Sequence, residues 1–408
     1  MQQQQPLIVV WQSLVVPAYR SFFVHLLTHL KPTTRVALCA PQFGIEMSQQ
    51  KVECVKFDKP FDGSQKNAVS YILPVRIFHT QIILFKGLFS AFKKFSSLKN
   101  TENLENKNSD KPLLLCIAEP YSVTALYIWL VATLCWGKNF TFVTWTCQNI
   151  TKKFPFYLNL IQQFLFLKSE AILSTGLEQT KVLREQGYQG NCIQFPLWFD
   201  SQTFCLQSNP INIWPETGNQ SRKMTLTFCG SFFVEKGVLF LLDTLLQKGE
   251  ILKNELNIAI VGKGPLENQV LQKIEQLQLN GWQAKYFGTA TTLELVNIYN
   301  NTNILAVPSQ TAAHWKEQFG RVIVEAQACG AVVIGSRSGE IPQVIGNSAF
   351  VFEEQNAEDL IAKIQAAISE SRIPGIREKM RHWAVSRYSS EVLASNFARI
   401  LNEQLSEQ

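Results

Sequence analysis

The sequence predicts an α/β protein built from two doubly wound domains in tandem. Three observations carry this. Short β-rich runs alternate with helix-length segments, the pattern of a parallel sheet covered on both faces. The alternation occurs twice, on either side of a stretch without periodicity. The chain has 408 residues, 46% hydrophobic and 17% charged, enough for two or three domains with full cores.

In the first half, strands are expected at 7–11 (LIVVW), 35–41 (RVALCAP), 113–119 (LLLCIAE), 140–146 (FTFVTWT), 171–175 (AILST) and 191–197 (NCIQFPL). The segments between them are long enough for crossover helices. Residues 96–111 are polar and read as a surface loop. Pro120 to Gly137 is an uncharged run of 18 residues, at the threshold for a membrane span. Its Tyr, Ser and Thr residues and flanking strands favour a buried helix. Residues 1–200 form the first domain, and 201–223, with two prolines, the linker.

The second domain spans 224–389, with strands expected at 225–230 (TLTFCG), 256–262 (LNIAIVG), 284–288 (AKYFG), 304–308 (ILAVP), 332–336 (VVIGS) and 349–353 (AFVFE). Two such domains leave a cleft between them, and ligands of such sheets bind at the carboxyl ends of the strands. No G-x-G-x-x-G follows a first strand, which argues against a nicotinamide dehydrogenase.

Charge divides unevenly. Residues 1–200 hold 20 Lys or Arg against 12 Asp or Glu, a balance of +8; the remainder hold 18 against 20. The basic half suits an anionic partner such as a phospholipid surface, or is simply solvated. Residues 78–95 (FHTQIILFKGLFSAFKKF) mix apolar side chains with lysines. They read as an interfacial helix or as a crossover helix with its lysines on the wet side. The nine cysteines include no C-x-x-C pair, consistent with free thiols in a reducing compartment. MQQQQP has no basic n-region, so a cytoplasmic protein is expected.

Three stretches carry chemistry. In KEQFGRVIVEAQACG (316–330), a helix is expected from near Gly320 to near Cys329, with Gly330 as its stop. Glu317 then lies in the loop ahead and Glu325 inside the helix. Eight residues span at most about 12 Å, too far to share a proton or a metal ion. The spacing suits two contacts on one extended ligand, with a sugar near Glu317, a diphosphate at Gly320, Arg321 and Val322, and ribose hydroxyls at Glu325. A helix N-terminus between them favours phosphate. An ordinary amphipathic helix with solvated glutamates fits the spacing equally. In FCGSFFVEKG (228–237), a strand, the turn at Gly230 and Ser231, and a helix opening place Lys236 within reach of a phosphate; surface lysines after strands are also common. In IVGKGPLE (260–267), Gly262 and Gly264 allow close approach of a nucleotide, or form a tight turn with proline at the first helical position. No D-x-D motif occurs, and neither the six aspartates nor the five histidines have metal-ligand spacing, so no metal or other cofactor is expected.

Together and in this order, the three stretches resemble the second domain of family 4 retaining glycosyltransferases. That family has the GT-B fold, two Rossmann-like domains facing across a cleft. The E-x7-E pair Glu317 and Glu325 is the most specific match. GSFFVEKG resembles the family's Gly-Arg-x-x-x-x-Lys-Gly motif, and GEIPQVIG (339–346) its loop and helix after the next strand. The likeness is strong from about Phe228 to Leu360 and weaker over 118–122, 148–155 and 197–200. The resemblance implies sugar transfer from a nucleotide-sugar to a glycan or lipid-linked acceptor, in polysaccharide or glycoconjugate synthesis. No nucleic-acid partner is expected, and the basic first half makes peripheral contact with an anionic membrane a further expectation. By position, Glu317 contacts the donor sugar, Glu325 the ribose, and Lys236 the diphosphate. Backbone groups at Gly320, Arg321 and Val322 assist, and Gly262 and Gly264 lie near the nucleotide. The last helix, about 390–408, packs back on the first domain. Two departures stand out: Ser231 replaces the family's arginine, and TCQN (146–149) stands where relatives place a histidine. A non-catalytic relative that binds a nucleotide-sugar or partner protein is the alternative reading.

Overall fold

The computed structural model describes residues 6–11, 17–31, 34–41, 43–45, 51–53, 68–79, 82–97, 111–214 and 223–403. The chain divides into two compact units. One comprises Met1–Pro196 with Ser390–Gln408, the other Leu197–Ser389.

The first unit is built on a seven-stranded parallel sheet. Its elements are β1 (Leu7–Trp11), α1 (Pro17–His29), β2 (Val36–Pro41), β3 (Phe43–Ile45), β4 (Lys51–Glu53), β5 (Ala68–Leu73), β6 (Val75–His79), β7 (Ile82–Phe85), α2 (Leu88–Ser97), β8 (Leu113–Ile117), α3 (Val123–Trp136), β9 (Thr141–Thr146), α4 (Phe156–Lys168), β10 (Ala171–Ser174), α5 (Leu177–Glu185) and β11 (Asn191–Gln194). The sheet order is β11-β10-β9-β8-β1-β2-β5. Its central strands are buried along their whole length, which is why they read as continuous apolar runs.

Residues 78–95 are not one helix. β6 and β7 pair as an antiparallel hairpin, and Lys86 and Gly87 turn the chain into α2. Leu88, Ala91, Phe92 and Phe95 of α2 join the core, while Lys93 and Lys94 are exposed. The apolar face is therefore used internally. Most of the expected loop at 96–111 lies outside the described residues. Within 120–137, α3 is capped by Ser122, whose hydroxyl accepts the Ala125 N–H at 3.1 Å. It buries one side only, leaving Leu130 and Leu134 exposed. Among the described residues, no helix is long and apolar enough to cross a membrane.

The second unit holds a six-stranded parallel sheet. Its elements are β12 (Met224–Cys229), α6 (Val238–Lys248), β13 (Leu256–Val261), α7 (Glu267–Leu279), β14 (Gln283–Tyr286), α8 (Thr292–Asn300), β15 (Ile304–Val307), α9 (Arg321–Ala328), β16 (Val332–Ser336), α10 (Ile341–Ile345), β17 (Val351–Phe352), α11 (Ala357–Ser371) and α12 (Ile376–Tyr388). The order is β14-β13-β12-β15-β16-β17. Residues 197–214 contain no helix or long strand, yet Phe199, Phe204 and Trp214 are buried. Arg381 ties this segment to α12, donating to the Phe204 carbonyl at 2.9 Å.

The last helix, α13 (Ser390–Glu403), belongs to the first unit and packs on α1. Phe397 meets Phe22 and Phe195 with ring centroids 6.0 and 5.2 Å apart.

Candidate functional site

In the second sheet, β12 and β15 are neighbours, and the strand order runs outward in opposite directions from them. The carboxyl ends of two such strands, where the strand order reverses, are the position at which open α/β sheets bind their ligands. Lys236 follows β12 in a 3-10 turn, Val234–Lys236. Glu317 follows β15 in the loop before α9. The pairing of β12 with β15 thus brings together two residues 81 positions apart. The Lys236 ammonium donates to Glu317 Oε2 at 2.7 Å.

Several neighbours hold this pair. The Ser309 hydroxyl donates to the same Glu317 oxygen at 3.0 Å. The Ser309 carbonyl in turn accepts from the Ser336 hydroxyl at the end of β16. Lys236 Nζ stands 4.7 Å from the Trp315 ring centroid, within cation–π range. The Gln310 N–H donates to the Glu235 carbonyl at 2.7 Å, clamping the β15 loop to the 3-10 turn. On the other side, the Glu317 carbonyl accepts the Glu340 N–H at 3.2 Å. Gly339 makes that approach possible: it has φ 52°, and a Cβ there would lie 1.9 Å from the Glu317 carbonyl oxygen. Glu317 is consequently only 7% exposed. Ser309 and Trp315 were not legible as site residues in the sequence, because no spacing rule links them to Lys236.

α9 begins directly after Gly320, so the backbone N–H groups of its first turn, at Arg321 and Val322, lie just past the loop that carries Glu317. Glu325 sits one turn further along and is 8% exposed. Burial pushes its carboxyl up to about 7, and the Arg321 guanidinium, 3.8 Å away, opposes the rise. The Cys229 thiol at the end of β12 lies close enough to sense Glu325, and burial raises it to about 12.

Gly230, Gly262 and Gly264 come together for a backbone reason. Gly262 has φ 133°, and a Cβ there would lie 1.8 Å from the Gly230 carbonyl oxygen. A Cβ on Gly264 would fall 2.7 Å from the Phe232 nitrogen. The Phe232 N–H donates to the Lys263 carbonyl at 3.0 Å. These glycines let the loops after β12 and β13 lie against each other. Ser231 is half-buried within the first of them. Pro265 sits in the turn ahead of α7 rather than at its first helical position. Among the described residues, no group of three His, Cys, Asp or Glu side chains is placed to hold a metal ion.

In the first unit, the carboxyl ends of β8 and β9 bring Glu119 to Thr146 and Cys147. Glu119 accepts the Thr146 hydroxyl at 2.6 Å and the Cys147 N–H at 2.9 Å. Burial raises the Glu119 carboxyl, while these two donors and then Lys152 lower it. The TCQN segment thus folds over a carboxylate rather than presenting an imidazole.

Residues 212–387 match the family model described as glycosyl transferases group 1. The whole chain has the fold of solved GT-B glycosyltransferases, with two Rossmann-like units. It superposes on a glycosyltransferase from Rickettsia africae with a TM-score of 0.66 at 18% identity, covering 100% of both chains. With HepE from Anabaena, solved in complex with UDP-glucose, the TM-score is 0.63 at 14% identity, covering 97% of this chain and 99% of that one.

Particular relatives in sequence include the sulfoquinovosyl transferase SQD2 of Arabidopsis thaliana. It is 27% identical over 223 residues, 52% of this chain and 40% of the relative. The lipopolysaccharide 1,2-N-acetylglucosaminetransferase of Salmonella typhimurium is 28% identical over 182 residues, 42% of this chain and 46% of the relative. The chain therefore spans less than half the length of these two curated relatives.

Proposed function

We propose that the protein is a glycosyltransferase that moves a sugar from a nucleotide-sugar to a hydroxyl of a glycan or lipid-linked acceptor, with retention of anomeric configuration and without a metal ion. The observation that carries this reading is the Lys236–Glu317 contact at 2.7 Å, made beyond the carboxyl ends of β12 and β15, where the strand order reverses, and next to the start of α9. A cation, a carboxylate and the N-terminal N–H groups of a helix at the carboxyl end of one sheet suit a sugar diphosphate. HepE, a structural neighbour, binds UDP-glucose, and the sequence relatives named above are transferases of sugars.

In this reading Lys236 moves onto the diphosphate as the donor enters. The N–H groups at Gly320, Arg321 and Val322 share the phosphate charge, and Ser231 donates one hydrogen bond. Glu325 accepts the ribose hydroxyls, and Glu317 contacts the sugar. Gly230, Gly262 and Gly264 hold the two loops that flank the nucleotide. The bond between the anomeric carbon and the phosphate oxygen breaks, and the acceptor oxygen bonds to that carbon on the same face. The acceptor proton passes to the departing phosphate oxygen. The protein's main contribution is stabilisation of charge on the leaving diphosphate.

The test is a panel of nucleotide-sugars screened for thermal stabilisation, since a ligand bound only to the native state raises the melting temperature. The stabilising donor is then used in transfer reactions with and without exhaustive chelation. Expected are a stabilising donor and a product of retained configuration whose formation survives chelation. No stabilising donor would overturn the donor reading. An inverted product, or activity that magnesium or manganese must restore, would overturn the mechanism. Binding without transfer would favour a non-catalytic relative.

A further inference from the structure

One face of the first unit is built against the usual rule for a solvated surface. α2, α3 and α4 lie side by side. Phe92 stacks on Trp136 at 4.7 Å, and Trp129 meets Phe164 edge-on at 4.9 Å. α3 contains no charged residue at all, whereas the wet face of a surface helix is normally polar. Its outer side instead shows Leu130 and Leu134, the latter 75% exposed. On α4, Phe156, Leu160 and Leu167 recur at helical spacing along the outer side; Phe156 is 77% exposed and Leu167 is 85% exposed. Tyr157 adds an exposed aromatic ring at the start of that helix.

On the helices themselves charge has one sign, with exposed Glu170 just beyond α4. α2, α3 and α4 contain no aspartate or glutamate. Exposed Lys93 lies on α2 and exposed Lys168 ends α4, while exposed Lys138, Lys152 and Lys153 lie in the bordering loops. An apolar stripe flanked by aromatic rings and lysines is the chemistry of a helix lying in a lipid interface. A second copy of the chain fits less well. A two-fold interface sets the same patch against itself, so lysines would meet lysines with no carboxylate on these helices to pair them.

We propose that the outer face of α2, α3 and α4 docks on an anionic lipid bilayer. The exposed leucines and Phe156 enter the interfacial layer, and Lys152, Lys153 and Lys168 meet lipid phosphates. The face takes its exposed leucines and Phe156 from α3 and α4; the apolar side chains of residues 78–95 largely serve the core, and α2 adds Lys93 at the border. The proposal does not depend on sugar transfer, and its test reads lipid binding alone.

The full chain is floated with vesicles of phosphatidylglycerol and phosphatidylcholine, and with phosphatidylcholine alone. Flotation is expected only with the anionic vesicles and should fade as salt is added. Lys152→Gln with Lys153→Gln should weaken binding about 25-fold, from about fivefold per lysine near such a surface. Leu134→Asn with Leu160→Asn, at exposed positions the core does not use, should abolish flotation while leaving the melting temperature unchanged. The proposal is overturned by any of three results. These are no flotation with anionic vesicles, flotation indifferent to both variants, or an apolar variant that converts a dimer to a monomer without changing lipid binding.

Discussion

Replacing Lys236 and Glu317 singly and together should reveal a coupled pair whose two members are not equivalent. At 2.7 Å and an effective dielectric of about 20, the gross attraction is about 6 kcal/mol. Desolvation of the carboxylate offsets most of it. The Glu317 side chain is 9% exposed, whereas that of Lys236 is 27% exposed. Lys236→Ala therefore leaves a nearly buried carboxylate without its contact cation and should cost about 2 kcal/mol. For a domain of this size that lowers the melting temperature by about 4–8 °C. Glu317→Gln leaves an ammonium that can reach water, and should cost only about 1 kcal/mol. The double variant should cost little more than Lys236→Ala alone, giving a coupling energy of about 1 kcal/mol. Thermal or urea unfolding of the four proteins measures this. Single costs that simply add, to within about 0.3–0.5 kcal/mol, would refute a direct interaction. Transfer assays on the same proteins address the proposed role. Lys236→Ala should slow transfer by about two orders of magnitude, as when one preorganised donor is removed. A folded Lys236→Ala protein with full activity would remove the lysine from the mechanism.

Other outcomes follow from neighbouring residues. Glu325 should produce opposite pH trends in stability and in donor binding. Its carboxyl is raised to about 7 from 4.5, so its contribution to stability is fully present below about 4.5 and lost as pH rises through about 7, by up to about 3 kcal/mol. Ribose hydroxyls donate to the charged form, so donor affinity should instead rise over that range; Glu325→Gln should flatten both curves in unfolding and calorimetric titrations. Gly262→Ala drives a Cβ into the Gly230 carbonyl oxygen, 1.8 Å away in the unrelaxed structure, at a positive φ, and should destabilise the second unit by about 3 kcal/mol or more in urea unfolding. Ser231→Arg should leave folding unchanged and tighten the nucleotide-sugar, because an arginine offers a charged, two-pronged donor to phosphate; calorimetry showing weaker binding would contradict the place given to Ser231.

Much of this protein is written locally. Buried parallel strands such as Leu113–Ile117 and Val332–Ser336 need apolar side chains on both faces, so their runs stand out. α9 announces its limits through Gly320 and Gly330, and the positions of Glu317 and Glu325 relative to it follow from helix geometry. Other features depend on which strands are neighbours, and no local period encodes that. The order β12–β15 places Lys236 against Glu317 and brings Ser309 and Trp315 around them. Gly262 and Gly264 allowed either a nucleotide's approach or a tight turn in the sequence; that they lie against the backbone of Gly230 and Phe232 is decided only by the fold. Residues 78–95 read as a helix because apolar side chains mix with lysines there, but the hairpin of β6 and β7 takes the first part of that run and leaves the helix to α2. The uncharged run at 120–137 showed that a helix would be apolar all round; only its packing against α2 and α4 decided which leucines remain in water. Hydrophobic period dictates the elements because each residue senses its own turn or strand. The site and the exposed face arise from contacts between residues far apart in the chain, which form only once the sheets assemble.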